Sequence, residues 1–278
     1  MSENWVVQNL ENTLNLWNDK LYEIWDIVTK SPTEFRGGAI WSVITGIHDG
    51  LQAVGLALLV LFFVTGVIKT CGSFSEIKRP QEVFKLFIRF AIAKGLVTYS
   101  LDLLTSIFNI VQGVINTIVR SSGFNLLNRM VLPNSIEEAI ENCSFLESIP
   151  LWAVTILGCL IITVMSFIMI LHVYGRFFKL YMYVAIAPIP LSASAGEPTQ
   201  GIAKQFLKAF SGVCLEGAIV ILACVVFSAF ATTPPSIDTS ASAISQVWMY
   251  MGELAFNMLI LVGTIKISSQ VVKEMMGI

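Results

Sequence analysis

The 278-residue sequence predicts an all-α fold, a polytopic bundle of transmembrane helices, and three observations carry that prediction. First, 55% of residues are hydrophobic and only 13% charged, about half the charge of an ordinary soluble domain; the mean hydropathy is +0.75. Second, the apolar residues cluster into runs of 18 or more with few charges, long enough to cross a hydrocarbon core of about 30 Å. Third, the basic residues collect in alternate connections, as they do when those connections face the cytoplasm.

The N-terminal region, 1–36, reads as an amphipathic helix over 4–29. Leu10, Leu14, Trp17, Leu21, Ile24 and Val28 recur at alternating steps of four and three, which keeps them on one face. Ser31-Pro32 ends it. The opposite face is acidic (Glu11, Asp19, Glu23, Asp26), unlike the Lys-rich face of helices drawn to anionic lipid. Packing on the chain's own membrane domain or on a neighbour is therefore expected. That domain, 40–278, holds spans near 40–68, 86–118, 150–174, 211–232 and 247–265. The second span is the least apolar and carries Arg89, Lys94 and Asp102. In the acidic loop 120–149, Ser135 stands three residues before Glu138, a capping-box spacing that predicts a short helix. Arg176 and Lys179 close the third span. Segment 180–198 is apolar but short, and Pro188, Pro190, Gly196 and Pro198 interrupt it. It reads as a re-entrant element or a Pro-kinked interfacial loop, and non-helical backbone at membrane depth needs protein or water around it.

Placing 69–85, 176–208 and 266–278 in the cytoplasm gathers Lys69, Lys78, Arg79, Lys85, Arg176, Lys179, Lys204, Lys208, Lys266 and Lys273 there. Lys20, Lys30, Arg36, Arg120 and Arg129 stay outside with most of the acids. The expected topology is a plasma-membrane protein with five spans, N-terminus outside and C-terminus inside.

Chemistry is sparse. The chain has no G-x-x-x-x-G-K-[ST], H-E-x-x-H or G-x-S-x-G motif, so nothing marks an ATPase, zinc protease or serine hydrolase. His48 and His172 are the only histidines, and the five cysteines form no C-x-x-C pair. No enzyme activity, metal or cofactor is expected. A net charge of −2 and no basic excess give no general nucleic-acid signature. The informative polar residues are those at membrane depth: Asp49, Lys94, Asp102, Glu216 and Glu253. Each costs about 2.5–3.5 kcal/mol at a helix centre, so each should face protein or water. Asp49 and Glu253 lie near outer span ends, Lys94 can snorkel, and Asp102 and Glu216 look deeper. Matched depth predicts a Lys94–Glu216 pair. Gly46, Gly50 and Gly55 on the first span, with Gly212 and Gly217 on the fourth, suit close helix packing.

Two runs carry a family likeness. KTCGSFSEIKRPQEVFKLFIRFAIAKGLVTYSLDLL (69–104) and APIPLSASAGEPTQGIAKQFLKAFSGVCLEGAIVILACVVF (187–227) resemble the TrbL/VirB-like polytopic conjugal-transfer proteins of Gram-positive integrative elements. The second run is the more specific, and the N-terminal helix carries little of the likeness. The resemblance implies an inner-membrane channel subunit of a type IV secretion system. It implies a homo-oligomer working with other secretion subunits, membrane and ATPase components among them. The basic cytoplasmic residues Lys78, Arg79, Lys204 and Lys208 would meet lipid phosphates, the default for juxtamembrane cations, ahead of a transient contact with translocating single-stranded DNA. The alternative is a secondary transporter or ion channel, with buried carboxylates and a broken helix binding a solute. Transporters usually show two related halves with matching interruptions, and only one interruption is visible here.

Overall fold

The computed structural model describes residues 4–70, 80–122, 129–143, 145–230 and 241–278, which are helical and contain no strand. The order is α1 (Trp5–Thr29), a 3₁₀ turn (Phe35–Gly38), α2 (Ala39–Thr70), α3 (Pro80–Thr98), α4 (Ser100–Ser122), α5 (Asn134–Glu141), α6 (Phe145–Ile186), α7 (Pro188–Ser192), a second 3₁₀ turn (Ala193–Ala195), α8 (Gln200–Phe230) and α9 (Ala243–Met276). Among the described residues five helices are long and apolar enough to cross a membrane: Ala39–Lys69, Ser100–Ser122, Ile149–Ile186, Gln200–Ala229 and Ile244–Met276. The multi-pass prediction and its count of five agree with this; the boundaries shift.

The largest shift is in the second span. The expected 86–118 segment divides at Tyr99 into α3 and α4, and only α4 qualifies as a span. The physical reason is charge. Arg89 and Lys94 would each cost about 2.5–3.5 kcal/mol inside hydrocarbon, and the break leaves both on α3, outside the spanning segment. α6 shifts the other way. It does not stop at Arg176 but runs to Ile186, absorbing the first part of the 180–198 segment. The stretch bearing Lys204 and Lys208 likewise joins the fourth span in one helix, α8.

The chain forms two compact units. The first comprises Met1–Thr29, Asn116–Tyr174 and Ile219–Ser268. Here α1 buries Leu10, Leu14, Trp17, Ile24 and Val28, while Leu21 is only half-buried. The Trp17 ring meets Phe227 edge-on at 6.4 Å between centroids, and Trp5 meets Trp152 at 6.0 Å. Asn18 clasps the Met130 backbone, donating to its carbonyl at 2.9 Å and accepting from its amide at 3.0 Å. The Tyr174 hydroxyl donates to Glu23 at 3.0 Å. The predicted short helix exists as α5, with Ile136 and Ile140 buried, but the capping box is not made. Pro133 holds the N-cap position at φ −64°, ψ 137° with no side-chain bond, and Ser135 lies inside the helix. The proline fixes the entry dihedral, and its backbone carbonyl accepts from the Ile136 and Glu137 amides.

The second unit comprises Lys30–Ile115, Gly175–Ala218 and Ser269–Ile278. Phe35 stacks on Phe177 at 4.7 Å and 20° between planes. The Tyr181 hydroxyl donates to the Pro32 carbonyl at 2.9 Å. α2 packs on α7, the second 3₁₀ turn and α3, and α3 packs on α7 and that same turn.

Candidate functional site

The polar residues that matter gather in three places, all in the second unit. The first is the α3–α4 break. His48 on α2 is 1% exposed, and its Nε2 lies 2.8 Å from the Ser100 hydroxyl. That hydroxyl donates to the Val97 carbonyl at 2.8 Å. Gln52, one turn along α2, donates to the Thr98 carbonyl at 2.8 Å. A helix interruption frees carbonyls that must find donors, and α2 supplies one of them directly. In the sequence His48 is only a lone histidine, and Ser100 and Gln52 give no signal of their own.

The second is the proline-bearing element. Pro188 occupies the first turn of α7, where its missing amide would have no helical partner. Three carbonyls within the element are answered locally. Ser192 donates to Ile189 at 2.6 Å, Ser194 to Leu191 at 2.7 Å, and Thr199 to Ala193 at 2.7 Å. Pro188 and Gly196 are buried, whereas Pro198 is exposed. Two glycines of α2 admit the element. A Cβ on Gly55 would stand 2.7 Å from the Pro188 carbonyl oxygen and 2.8 Å from its Cβ, and one on Gly66 would stand 3.0 Å from the Gly196 Cα. Gly55, expected to serve close packing, has Pro188 as its partner. Arg89 Nη1 meets Glu197 Oε2 at 3.2 Å, tying α3 to the end of the element.

The third is a buried charge cluster between α6 and α8. Arg176, expected at a helix end, is 1% exposed, and none of its three guanidinium nitrogens has a hydrogen-bond partner among the described residues. The guanidinium lies over the Phe177 ring at 5.1 Å and against Gly217, where a Cβ would overlap it. Glu216, beside Gly217 on α8, is 2% exposed. Its Oε1 lies 3.8 Å from Lys179 Nζ. The expected partner, Lys94, is instead exposed on α3. The sequence hides the role of Arg176, because a cation that closes a long apolar run looks like an interfacial flank. The available clue is Gly217 beside Glu216, which leaves room for a large cation next to an acid.

The remaining candidates separate. Asp102 falls in the first turn of α4 and is exposed, a favourable place for an acid and not the deep one expected. Asp49 and Glu253 are exposed on α2 and α9, and Asp49 lies 3.4 Å from His48 Nδ1. Lys204 and Lys208 are exposed on α8. Lys78 and Arg79 lie outside the described residues. Among the described residues no His, Cys, Asp and Glu cluster could hold a metal.

These features define a multi-pass helical membrane protein whose buried polar groups join helices to one another. A family model for TrbL/VirB6 plasmid conjugal transfer like proteins matches residues 17–188. The chain belongs to that family. The match enters α1 and stops at Pro188, so it includes the first of the two resembling runs and lies almost wholly before the second, the run that looks more specific in the sequence. No curated protein and no solved structure matches the chain.

Proposed function

We propose that this chain is a channel or scaffold subunit of a conjugative type IV secretion system, helping to form the path by which DNA with its attached protein crosses the plasma membrane. The family match carries the reading; the five helices able to span a bilayer support it. The subunit is not an enzyme, and its energy comes from partner ATPases. Its N-terminus lies outside and its C-terminus in the cytoplasm.

Self-association is part of the proposal. Asp49 and Glu253 are exposed on helices counted among the spans, and a carboxylate there must meet protein or water instead of lipid tails. Neighbouring subunits or a wet path would supply both. Deletion of the gene from a conjugative donor should abolish transfer while leaving donor growth unchanged, and the intact gene in trans should restore it. Native mass of the detergent-purified chain should give a homo-oligomer. Normal transfer from the deletion strain would end the secretion reading, and a strictly monomeric mass would end the channel form of it.

A further inference from the structure

A cleft of about 350 Å³ opens in the second unit between α3 and α8. That is within the size range of small-molecule sites, about 300–1,000 Å³. From α3 it takes Lys85, Ile88, Arg89, Ile92 and Leu96, which share one helix face by their steps of three and four. From α8 it takes Gln200, Ala203, Lys204 and Leu207, on one face for the same reason, and Ser194 adds a hydroxyl. On both helices only aliphatic members follow the last cation: Ile92 and Leu96 after Arg89, and Leu207 after Lys204. The pattern is amphiphilic.

We propose that this cleft binds an anionic phospholipid, its phosphate held by Lys85, Arg89 and Lys204 and its acyl chains lying along Ile92, Leu96 and Leu207. Gln200 begins the fourth span, so Lys204 stands about one turn inside it, the level of the lipid phosphate, and Leu207 lies a turn deeper. Basic clusters beside a span attract anionic headgroups. Arg89 already holds an anion, the Glu197 carboxylate at 3.2 Å, but the two side chains are 31% and 56% exposed. Such a pair is weak and exchangeable, and the residues lining the cleft bring three cations and no acid. A single DNA strand fits less well, because bases bind on aromatic platforms and no aromatic ring lines the cleft among the described residues. Free phosphate would leave the aliphatic wall unused.

The inference rests on the membrane reading and not on the channel reading, so conjugal transfer does not decide it. The full-length protein in neutral detergent is mixed with equal amounts of phosphatidylglycerol and phosphatidylcholine of the same chains, and bound lipid is counted by native mass spectrometry. Phosphatidylglycerol should be retained preferentially. Arg89→Gln and Lys204→Gln should each lower its retention by about fivefold, the share of one juxtamembrane cation. Lys94→Gln and Lys208→Gln remove cations from the same two helices outside the cleft and should change nothing. Only variants eluting as the wild-type species in gel filtration are compared, and these exposed charge-to-amide changes leave the core untouched. Equal retention of the two lipids, or equal losses in the control variants, would overturn the site. So would displacement of the lipid by inorganic phosphate, which would make it a phosphate site, or by an oligonucleotide, which would make it a strand groove.

Discussion

Gly217→Ala tests the buried guanidinium by the sign of its effect. A Cβ there would overlap Arg176 Nη1 and stand 2.5 Å from Cζ and 3.0 Å from Nη2, so the whole planar fork rests on the glycine. Helix propensity alone favours alanine by about 1 kcal/mol. Against this, the fork must shift within a seat where the side chain is 1% exposed, and overpacking of a buried site costs about 1–3 kcal/mol. The displacement outweighs the propensity gain by up to about 2 kcal/mol net. At about 2–4 °C per kcal/mol for a chain of this size, melting should fall by a few degrees. Gly212→Ala, on the same helix, is the control. Its Cβ would meet only a Val272 methyl at 3.4 Å, so propensity acts alone and stability should hold or rise. The assay is thermal melting of the full-length protein in detergent, read as the fraction still monodisperse by gel filtration. Combining Gly217→Ala with Arg176→Met completes a double-mutant cycle: once the guanidinium is gone, the alanine should do no further harm. If Gly217→Ala melts like Gly212→Ala, or if the cycle is additive, Arg176 does not occupy that seat.

Gly55→Ala brings its Cβ against Pro188 backbone, which cannot swing aside; the same melt should show a loss of about 1–3 kcal/mol, with lower conjugal transfer. Ser100→Ala removes both the donor to Val97 and the partner of buried His48 and should cost about 1–3 kcal/mol. Ser106→Ala, exposed and bonded to the Asp102 carbonyl one turn back, should stay within about 0.5 kcal/mol. Orientation is checked in intact spheroplasts: a membrane-impermeant maleimide should label Cys143, in the proposed outer loop, and spare Cys71, in the proposed inner one. The reverse pattern would invert the topology.

The spans are legible in the sequence because hydrophobic length is a direct physical requirement of the bilayer, and it needs no knowledge of partners. The α1 stripe is legible for a similar reason: Leu10, Leu14, Trp17, Ile24 and Val28 all fall on the buried face, fixed by helical period alone. The helix ends are harder to read. Arg176 looks terminal because a cation after an apolar run usually marks the interface, yet α6 continues past it and the guanidinium is buried over an aromatic face. The α3–α4 break is hidden because neither proline nor glycine sits at Tyr99. The interruption rests on tertiary donors from α2, Gln52 directly and His48 through Ser100, and side chains about 50 positions away in sequence leave no local mark. The Lys94–Glu216 pairing expected from matched depth is not made: Glu216 lies by Lys179, and Lys94 is exposed on α3.

The proline-bearing element is better understood as a packed joint than as an opening. Three of its carbonyls are met by its own serines and threonine, which lowers the demand for water along it. Ala187, Ser192 and Ala195, the positions where a re-entrant element would expose cysteines to water-soluble thiol reagents, are at most 2% exposed in the single chain. Gly55 and Gly66 let two stretches of backbone approach within contact distance, and close-packed backbone does not deform gradually. A joint of this kind can hold α2, α3 and the α6–α8 connection together. On that view the element matters to transport through rigidity: the consequential substitutions are those that separate Gly55 from Pro188, and cysteines placed in the joint should react only after it has been loosened.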